Sequence, residues 1–516
     1  MAVSSIFNDV LGPVMRGPSS SHSAAACRIG LLLNDLMKGE IDDVVIDYDP
    51  SGSLVTTHES QGTDMGLYGG MLGWQPDDER MVDYKQYVER AGINIKVNYL
   101  KYGAEHPSNY RISISNSLIT HTVSAISTGG GMIDIQEIDG SNISINGDYH
   151  ELLIYGENLP IIKSLLPDVD HEFVLAYNSF IEIKSSSKYS EEIIGKIKAI
   201  PGVANVCYLR PVLPVLSQKN LEVPFEYCHE MIALGQSEGL DLWELAIRYE
   251  TARGGITDKV VFEKMRSIVQ VMQQGIEEGL RGTYFEDRIL PVQSLGFKEQ
   301  MDNKGLLDGG MLNTIVLYTT AMMEVKSSMG VFVAAPTAGS CGTLPGAILG
   351  AAKSLGSTED EIIKAMFAAG IMGVFISEHA TFSAEVAGCQ AETGAGGSMA
   401  AAGLVTLMHG KLAQCVGAAS LALQNSLGIV CDPIGNRVEA PCLGKNVMAA
   451  SNALSCANMA LANYDPLIPY DEVVQTMVEV GNLMAHELTC TGLGGLAATP
   501  TGKAIEARMK EKAKYC

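Results

Sequence analysis

The chain has 516 residues, 47% of them hydrophobic and 18% charged, which is enough for two or three domains that each bury a core. Its 59 acidic residues against 36 basic ones give a net charge of −23, which argues against nucleic acid or an anionic membrane as a partner and reads as solubility. The opening MAVSSIFNDVLGPVMRGPSSSH carries Pro13 and Pro18 and lacks the apolar core of a signal peptide, and the eleven cysteines are scattered, so the expectation is a protein of the reducing cytoplasm. The most apolar helix candidate, AMFAAGIMGVFI (365–376), reads as too short and too Gly-broken to span a bilayer.

Taken in chain order, residues 1–150 read as α/β. SAAACRIGLLLNDLM (23–37) has helical apolar spacing, VVIDYD (44–49) alternates like a strand, and TDMGLYGGML (63–72) is a second helix. INIKVNYL and YRISISN continue the strand pattern with period two. Residues 151–220 give strand, helix, strand over 171–184, 189–199 and 203–210. That order suits a small ferredoxin-like unit of the ACT kind, or a linker; with no Gly-rich ligand loop, packing support weighs as much as ligand binding. From 221 to 516 the period becomes helical, as in PFEYCHEMIALGQSEGLDLWELAIRYE and DKVVFEKMRSIVQVMQQGIEEGL, and small-residue segments at 365–376, 397–408 and 447–462 read as closely packed buried helices. GTYFEDRILPVQS (282–294) reads as a loop between them. The fold class is therefore multidomain α+β, with an N-terminal α/β part and a C-terminal all-α part.

Cys389, Cys431 and Cys442 stand in GCQAETGAGGSMAAAG, GIVCDPIGN and EAPCLGKN, with gaps of 42 and 11 residues. Three cysteines in Gly- and Pro-rich contexts suit an iron–sulfur cluster with one iron left open, which is a Lewis acid rather than an electron carrier. There is no C-x-x-C pair, so on spacing alone buried structural cysteines remain the alternative. GPSSSH (17–22) places hydroxyls before a helix start, a seat for a carboxylate or an ordinary N-cap. APTAGSCGTLPG (335–346) lacks the Gly-Lys-Ser/Thr ending of a phosphate loop and reads instead as a nest of N–H groups with Thr337, Ser340 and Thr343.

GPSSSHSAAACRIG, APTAGSCGTLPGAILG, EVAGCQAETG, CDPIGNRVEAPCLGKN and LGGLA (493–497) occur in this order, and the chain so resembles the iron–sulfur L-serine dehydratases, with a beta-type domain first (1–150) and the catalytic alpha domain second (221–516). The resemblance implies a 4Fe-4S cluster on Cys389, Cys431 and Cys442, no PLP, and elimination of water from L-serine to give pyruvate and ammonia. It implies substrate contacts at Ser19, Ser20, Ser21, Thr63, Asp64, His106, Asn109, Thr337, Ser340, Thr343, Lys445 and Asn446, with substrate held between the domains. His58 and His22 are the candidates for the base that takes the α-proton. The family's His-bearing turn is worded differently here, as HESQGTD. Arg437 is a candidate charge partner of the cluster, and Glu385 or Glu392 a seat for the substrate ammonium. Cys516, the last residue, is a candidate fourth ligand that caps the open iron when substrate is absent. The expected partners are a small amino acid and a second copy of the chain, a homodimer by the general frequency of symmetric oligomers. Threonine, or cysteine with loss of sulfide, are alternative substrates, and an iron–sulfur or zinc sensor is the alternative class.

Overall fold

A computed structural model describes residues 3–168, 171, 173–219 and 221–512. The chain forms two compact units, Ser21–Leu221 and a second made of Val3–Ser20 with the chain from Glu222 onward. Residues Val3–Ser20 thus fall with the C-terminal unit, not with the N-terminal part where the sequence reading put them. The reason is local: Ile6, Val10 and Leu11 are fully buried on the helix Glu359–His379, and the buried Glu250 carboxylate accepts from Ser5 Oγ at 2.5 Å and Ile6 N at 2.8 Å.

The Ser21–Leu221 unit carries two sheets. Strands β1 (Asp43–Tyr48), β2 (Asn94–Tyr99), β3 (Asn109–Ser115), β4 (Thr120–Gly129), β5 (Met132–Ile138) and β6 (Ser141–Ile145) are ordered β2-β1-β3-β4-β5-β6, with β1 and β2 parallel and the remaining pairs antiparallel. Helices α1 (Ala25–Leu36) and α2 (Thr63–Met71) cover this sheet and bury Ile29, Leu33 and Leu67 against Val44, Ile46, Ile112 and Val123. The two helices meet at backbone distance: a Cβ on Gly66 would stand 1.9 Å from Ser23 O, and one on Gly70 2.1 Å from Cys27 O. That is the structural use of the GLYGG run.

Strands β7 (His150–Gly156), β8 (Phe173–Ala176), β9 (Phe180–Ser185) and β10 (Val203–Leu209) form the second sheet in the order β10-β7-β9-β8, all antiparallel, with α3 (Leu159–Leu165) and α4 (Glu191–Lys198) as crossovers. This is a split β-α-β arrangement. The period of two divides its side chains: Leu152, Ile154, Ile181 and Ile183 face the helices, whereas Leu153, Phe180, Cys207 and Leu209 join the core of the larger sheet. The segment is therefore packed into its neighbour, not free-standing.

The second unit is helical apart from a two-residue pairing of Val14–Met15 with Phe332–Val333. Its core helices are α5 (Asp258–Arg281), α6 (Met311–Ser327), α7 (Thr343–Leu355), α8 (Glu359–His379), α9 (Thr393–Leu407), α10 (Leu412–Gln424) and α11 (Cys442–Leu461). Helix α9, written TGAGGSMAAAGLVTL, is buried on nearly every side and packs on α7, α8, α10 and α11. Its Gly and Ala residues are what allow four neighbours at once. The segment read as too broken to span a bilayer is in fact part of α8, a continuous 21-residue helix long and apolar enough for it; 78% of its apolar window is buried inside the protein, as befits a core helix.

Candidate active site

The first turns of α7, α9 and α11 come together, and the three predicted cysteines lie on them or beside them. Cys442 is the first residue of α11, Cys389 lies in the tight turn Gly388–Gln390 before α9, and Cys431 lies in extended chain bridged to Thr489. All three are buried, at 2–4% exposure, and unpaired by disulfides. Cys389 Sγ, Cys431 Sγ and a Glu392 carboxylate oxygen lie within 4.8 Å of one another, and Cys442 is near enough to Cys389 to feel its charge. Contact with Cys389 and Cys490, together with burial, pushes the Cys431 thiol well up, and burial does the same to Cys442. Thiols this reluctant to ionise hold protons that a metal would replace.

Cationic groups surround this set. Lys445 Nζ donates to Val430 O at 2.6 Å and Asp432 Oδ1 at 2.5 Å, and lies 3.8 Å from Cys389 Sγ. Lys326, from α6, is 1% exposed, and its Nζ has no hydrogen-bond partner among the described residues; its charge acts on Cys341, Cys442 and Glu392. A buried ammonium without a partner calls for a counter-charge. A thiolate-held cluster supplies one, as the three helix N-termini also favour. The residues therefore fit an iron–sulfur cluster.

The 335–346 loop is braced, not open. Asn446 Oδ1 accepts from Gly342 N (3.2 Å), Thr343 N (2.9 Å) and Thr343 Oγ1 (2.8 Å), and its Nδ2 donates to Gly339 O (2.7 Å) and Cys442 O (2.9 Å). Asn446 and Thr343, expected as substrate contacts, are thus occupied in tying α7 to α11. Ser340 Oγ donates to Ala335 O at 3.0 Å, and Thr337 Oγ1 donates to Glu392 Oε1 at 2.6 Å. Burial raises the Glu392 carboxyl to about 7, against the lowering effect of that bond. A Cβ on Gly339 would stand 2.7 Å from the Glu392 carboxylate oxygens, so a side chain there would displace that carboxylate. Ser20 Oγ accepts from Ala338 N at 3.4 Å, so the GPSSSH word reaches this loop through Ser20; the neighbouring Ser19 is buried in the same unit.

Other expectations are corrected. Arg437 is not a partner of the cysteines: its Nη2 lies 2.5 Å from Asp287 Oδ2. Helix α1 is preceded by a wide helical turn over Ser20–Ala24, so GPSSSH does not cap it. Cys516 lies outside the described residues.

In the Ser21–Leu221 unit, His58 Nδ1 is 2.9 Å from both Asp64 carboxylate oxygens and Nε2 is 2.9 Å from Tyr99 OH. Burial alone would lower the imidazole, but the Asp64 hydrogen bond and charge raise it above its ordinary value. Glu59 lies within 4.8 Å of this pair, yet both ring nitrogens are already engaged, which favours a His–Asp dyad over a metal site. His22 Nε2 lies 3.1 Å from Thr57 Oγ1, and its Nδ1 lies 3.2 Å from Ser21 Oγ. Thr63 is fully buried at the start of α2. His106 Nδ1 accepts from Ser108 N at 3.1 Å, and Asn109 donates to His106 O at 2.6 Å and accepts from Tyr102 OH.

Sequence reading missed Asp432, Lys326 and Cys490. Asp432 had a signal, since it follows Cys431 directly. Its Oδ2 accepts from Leu496 N at 2.8 Å, so the LGGLA word serves to hold the carboxylate that holds Lys445.

Residues 237–497 match the family described as serine dehydratase alpha chain. The chain is 34% identical over 285 residues to the probable L-serine dehydratase, alpha chain, of Bacillus subtilis, covering 55% of this chain and 95% of that one. It is 34% identical over 277 residues to the L-serine dehydratase, alpha chain, of Peptoniphilus asaccharolyticus, covering 54% and 95%. L-serine dehydratase 1 of Escherichia coli is 26% identical over 502 residues, 93% of this chain and 96% of that one, so the likeness also takes in the N-terminal unit. The chain belongs to the serine dehydratase alpha chain family, in a single-chain form with the beta-type part fused ahead of it.

Proposed function

We propose that the chain is an L-serine dehydratase that removes water from L-serine to give pyruvate and ammonia. The observation that carries this reading is the convergence of Cys389 and Cys442, at helix starts, with Cys431, in extended chain, beside a buried lysine that has no hydrogen-bond partner among the described residues. The names of the relatives supply the substrate.

Cys389, Cys431 and Cys442 would hold a 4Fe-4S cluster, with Cys516 the candidate for the remaining iron. When bound, the cluster supplies a Lewis acid that makes hydroxide a tolerable leaving group. Lys326 and Lys445 offset the negative charge of the thiolates. Glu392, held at Oε1 by Thr337, accepts a hydrogen bond from the substrate ammonium. His58, oriented and made more basic by Asp64, takes the α-proton. The aminoacrylate released then tautomerises and hydrolyses in water.

The test is anaerobic reconstitution with iron and sulfide, followed by assay for pyruvate from L-serine, with L-threonine and L-cysteine run beside it. A brown protein active on L-serine is expected. A colourless protein that binds zinc and forms no pyruvate would leave the sensor reading in its place. Serine at Cys389, Cys431 or Cys442 should each abolish iron uptake; a full cluster in any one variant shows that residue to be wrongly assigned.

A further inference from the structure

We propose that Lys326 is the seat of the substrate carboxylate, its ammonium binding the carboxylate of an α-amino acid whose own ammonium is held by Glu392. This rests on the reading of the site as one that takes L-serine.

Lys326 stands in the last turn of α6, a helix that packs on α7 and α11. A lysine at such a place ordinarily reaches solvent along its stem or donates to the last carbonyls of its own helix. Lys326 does neither. It is 1% exposed, and its Nζ makes no hydrogen bond among the described residues. A buried ammonium therefore has its donors unspent. Its charge bears on one place, favouring ionisation of Cys341, Cys442 and Glu392, which sets it beside both the cysteines and the carboxylate.

The other groups expected to take a carboxylate here are engaged. Lys445 donates to Val430 O and Asp432, and Arg437 is paired with Asp287. Asn446 accepts from Gly342 N, Thr343 N and Thr343 Oγ1, and Ser340 Oγ donates to Ala335 O. Thr337 Oγ1 donates to Glu392 Oε1, with Oε2 left for an ammonium. Sulfur is a weak acceptor, so thiolates offset the Lys326 charge without making full use of its donors. A carboxylate does both, through short charge-assisted bonds. Lys326 and Glu392 then form a pair of opposite charges that matches an α-amino acid and discriminates against an amine lacking the carboxylate.

The experiment uses the full chain as wild type, K326M and K326Q, each reconstituted anaerobically with iron and sulfide. The probes are L-alanine, which lacks the β-hydroxyl and cannot be dehydrated, and L-alaninamide, which lacks the carboxylate as well. Calorimetry gives the affinity for each. Wild type should bind L-alanine about 10–100-fold more tightly than the amide, the worth of a hydrogen bond to a charged group. Both variants should lose that preference, through weaker binding of L-alanine and not of the amide. With L-serine, KM should rise by a similar factor while kcat changes much less, as for binding shared by ground and transition states. If Lys326 only offset the charge of the thiolates, the variants would keep the preference for L-alanine, and that result would overturn the proposal. Equal affinity of wild type for the two probes would overturn it whatever the variants do, including variants that take up no iron. Wild-type protein that forms no pyruvate from L-serine would instead defeat the reading on which the proposal rests.

Discussion

Lys445 Nζ stands 2.5 Å from Asp432 Oδ1, and both residues flank cysteines of the site, one beyond Cys442 and the other directly after Cys431. The pair is largely buried, and Asp432 also holds the 495–498 turn through Leu496 N. Removing one member of a buried pair leaves the other uncompensated, which costs more than the pair is worth. Asp432→Asn should destabilise the helical unit by about 2–4 kcal/mol in urea denaturation of the metal-free protein. A loss below about 0.5 kcal/mol would mean that water already serves Lys445 and that the geometry described is not maintained.

Lys326 gives a prediction with two opposite signs. Its ammonium is buried with no partner among the described residues, so in the metal-free protein it is a cost. Lys326→Met keeps much of the volume and removes the charge, and should stabilise that form by roughly 1–3 kcal/mol. In the iron-loaded protein the same change removes a counter-charge to thiolates, so iron should be lost to a chelator faster. Stabilisation without faster iron loss would show that Lys326 has no electrostatic part in the site.

How much of this was legible beforehand follows from what each pattern encodes. Strands β1 and β3 were readable because one face of each is buried, which writes period two into the sequence, whereas α1 and α2 are buried on nearly every side and were readable through their dense apolar and small-residue content. The cysteines were readable through their neighbouring words, and the placement of Cys389 and Cys442 at helix starts follows from the Gly and Pro around them. The membership of residues 3–20 was not readable, since Ile6 and Val10 declare themselves apolar without naming the helix they pack against. Asn446 was misread for a related reason: a polar residue beside a cysteine looks the same whether it faces a substrate or braces two helix starts. Lys326 was invisible because a lysine in the last turn of a helix normally reaches solvent, and only packing shows that this one does not.

In the Ser21–Leu221 unit, His121 Nδ1 lies 2.7 Å from Asp139 Oδ2, with Tyr155 OH donating to the same oxygen at 3.0 Å. Burial pulls the His121 imidazole down, but the Asp139 hydrogen bond and charge, with the nearby Cys207 thiol adding to them, outweigh it and raise the value from 6.5 to about 9. A raised folded value contributes stability that is complete below the unfolded value and is lost as pH climbs through the folded one. The loss should therefore run from about pH 6.5 to beyond 9 and amount to roughly 1–3 kcal/mol. Hydrogen exchange of β4 and β7 would follow it. His121→Asn should flatten that dependence; an unchanged slope in the variant would assign the titration elsewhere. Asp139 works in the other direction, its value being lowered by the same pairing against the effect of burial, so its contribution is lost only in acid.

The choice between His58 and His22 as base can be made by pH. His58 is paired with a carboxylate at 2.9 Å, whereas His22 meets hydroxyls of Thr57 and Ser21. A base must be neutral to accept a proton, and the Asp64 contact lifts His58 above 6.5 in spite of burial. The rate should therefore rise with pH along a limb centred above that value. Asp64→Asn removes both the charge and the strong acceptor, so the limb should move to lower pH while the maximal rate falls. His58→Asn should lower kcat by about 10²–10⁴ and abolish the limb, the range expected for a general base. His22→Asn should leave the limb where it is. If instead the limb ignores Asp64→Asn and disappears with His22→Asn, the base is His22 and the His58–Asp64 dyad serves only to hold β2 through Tyr99.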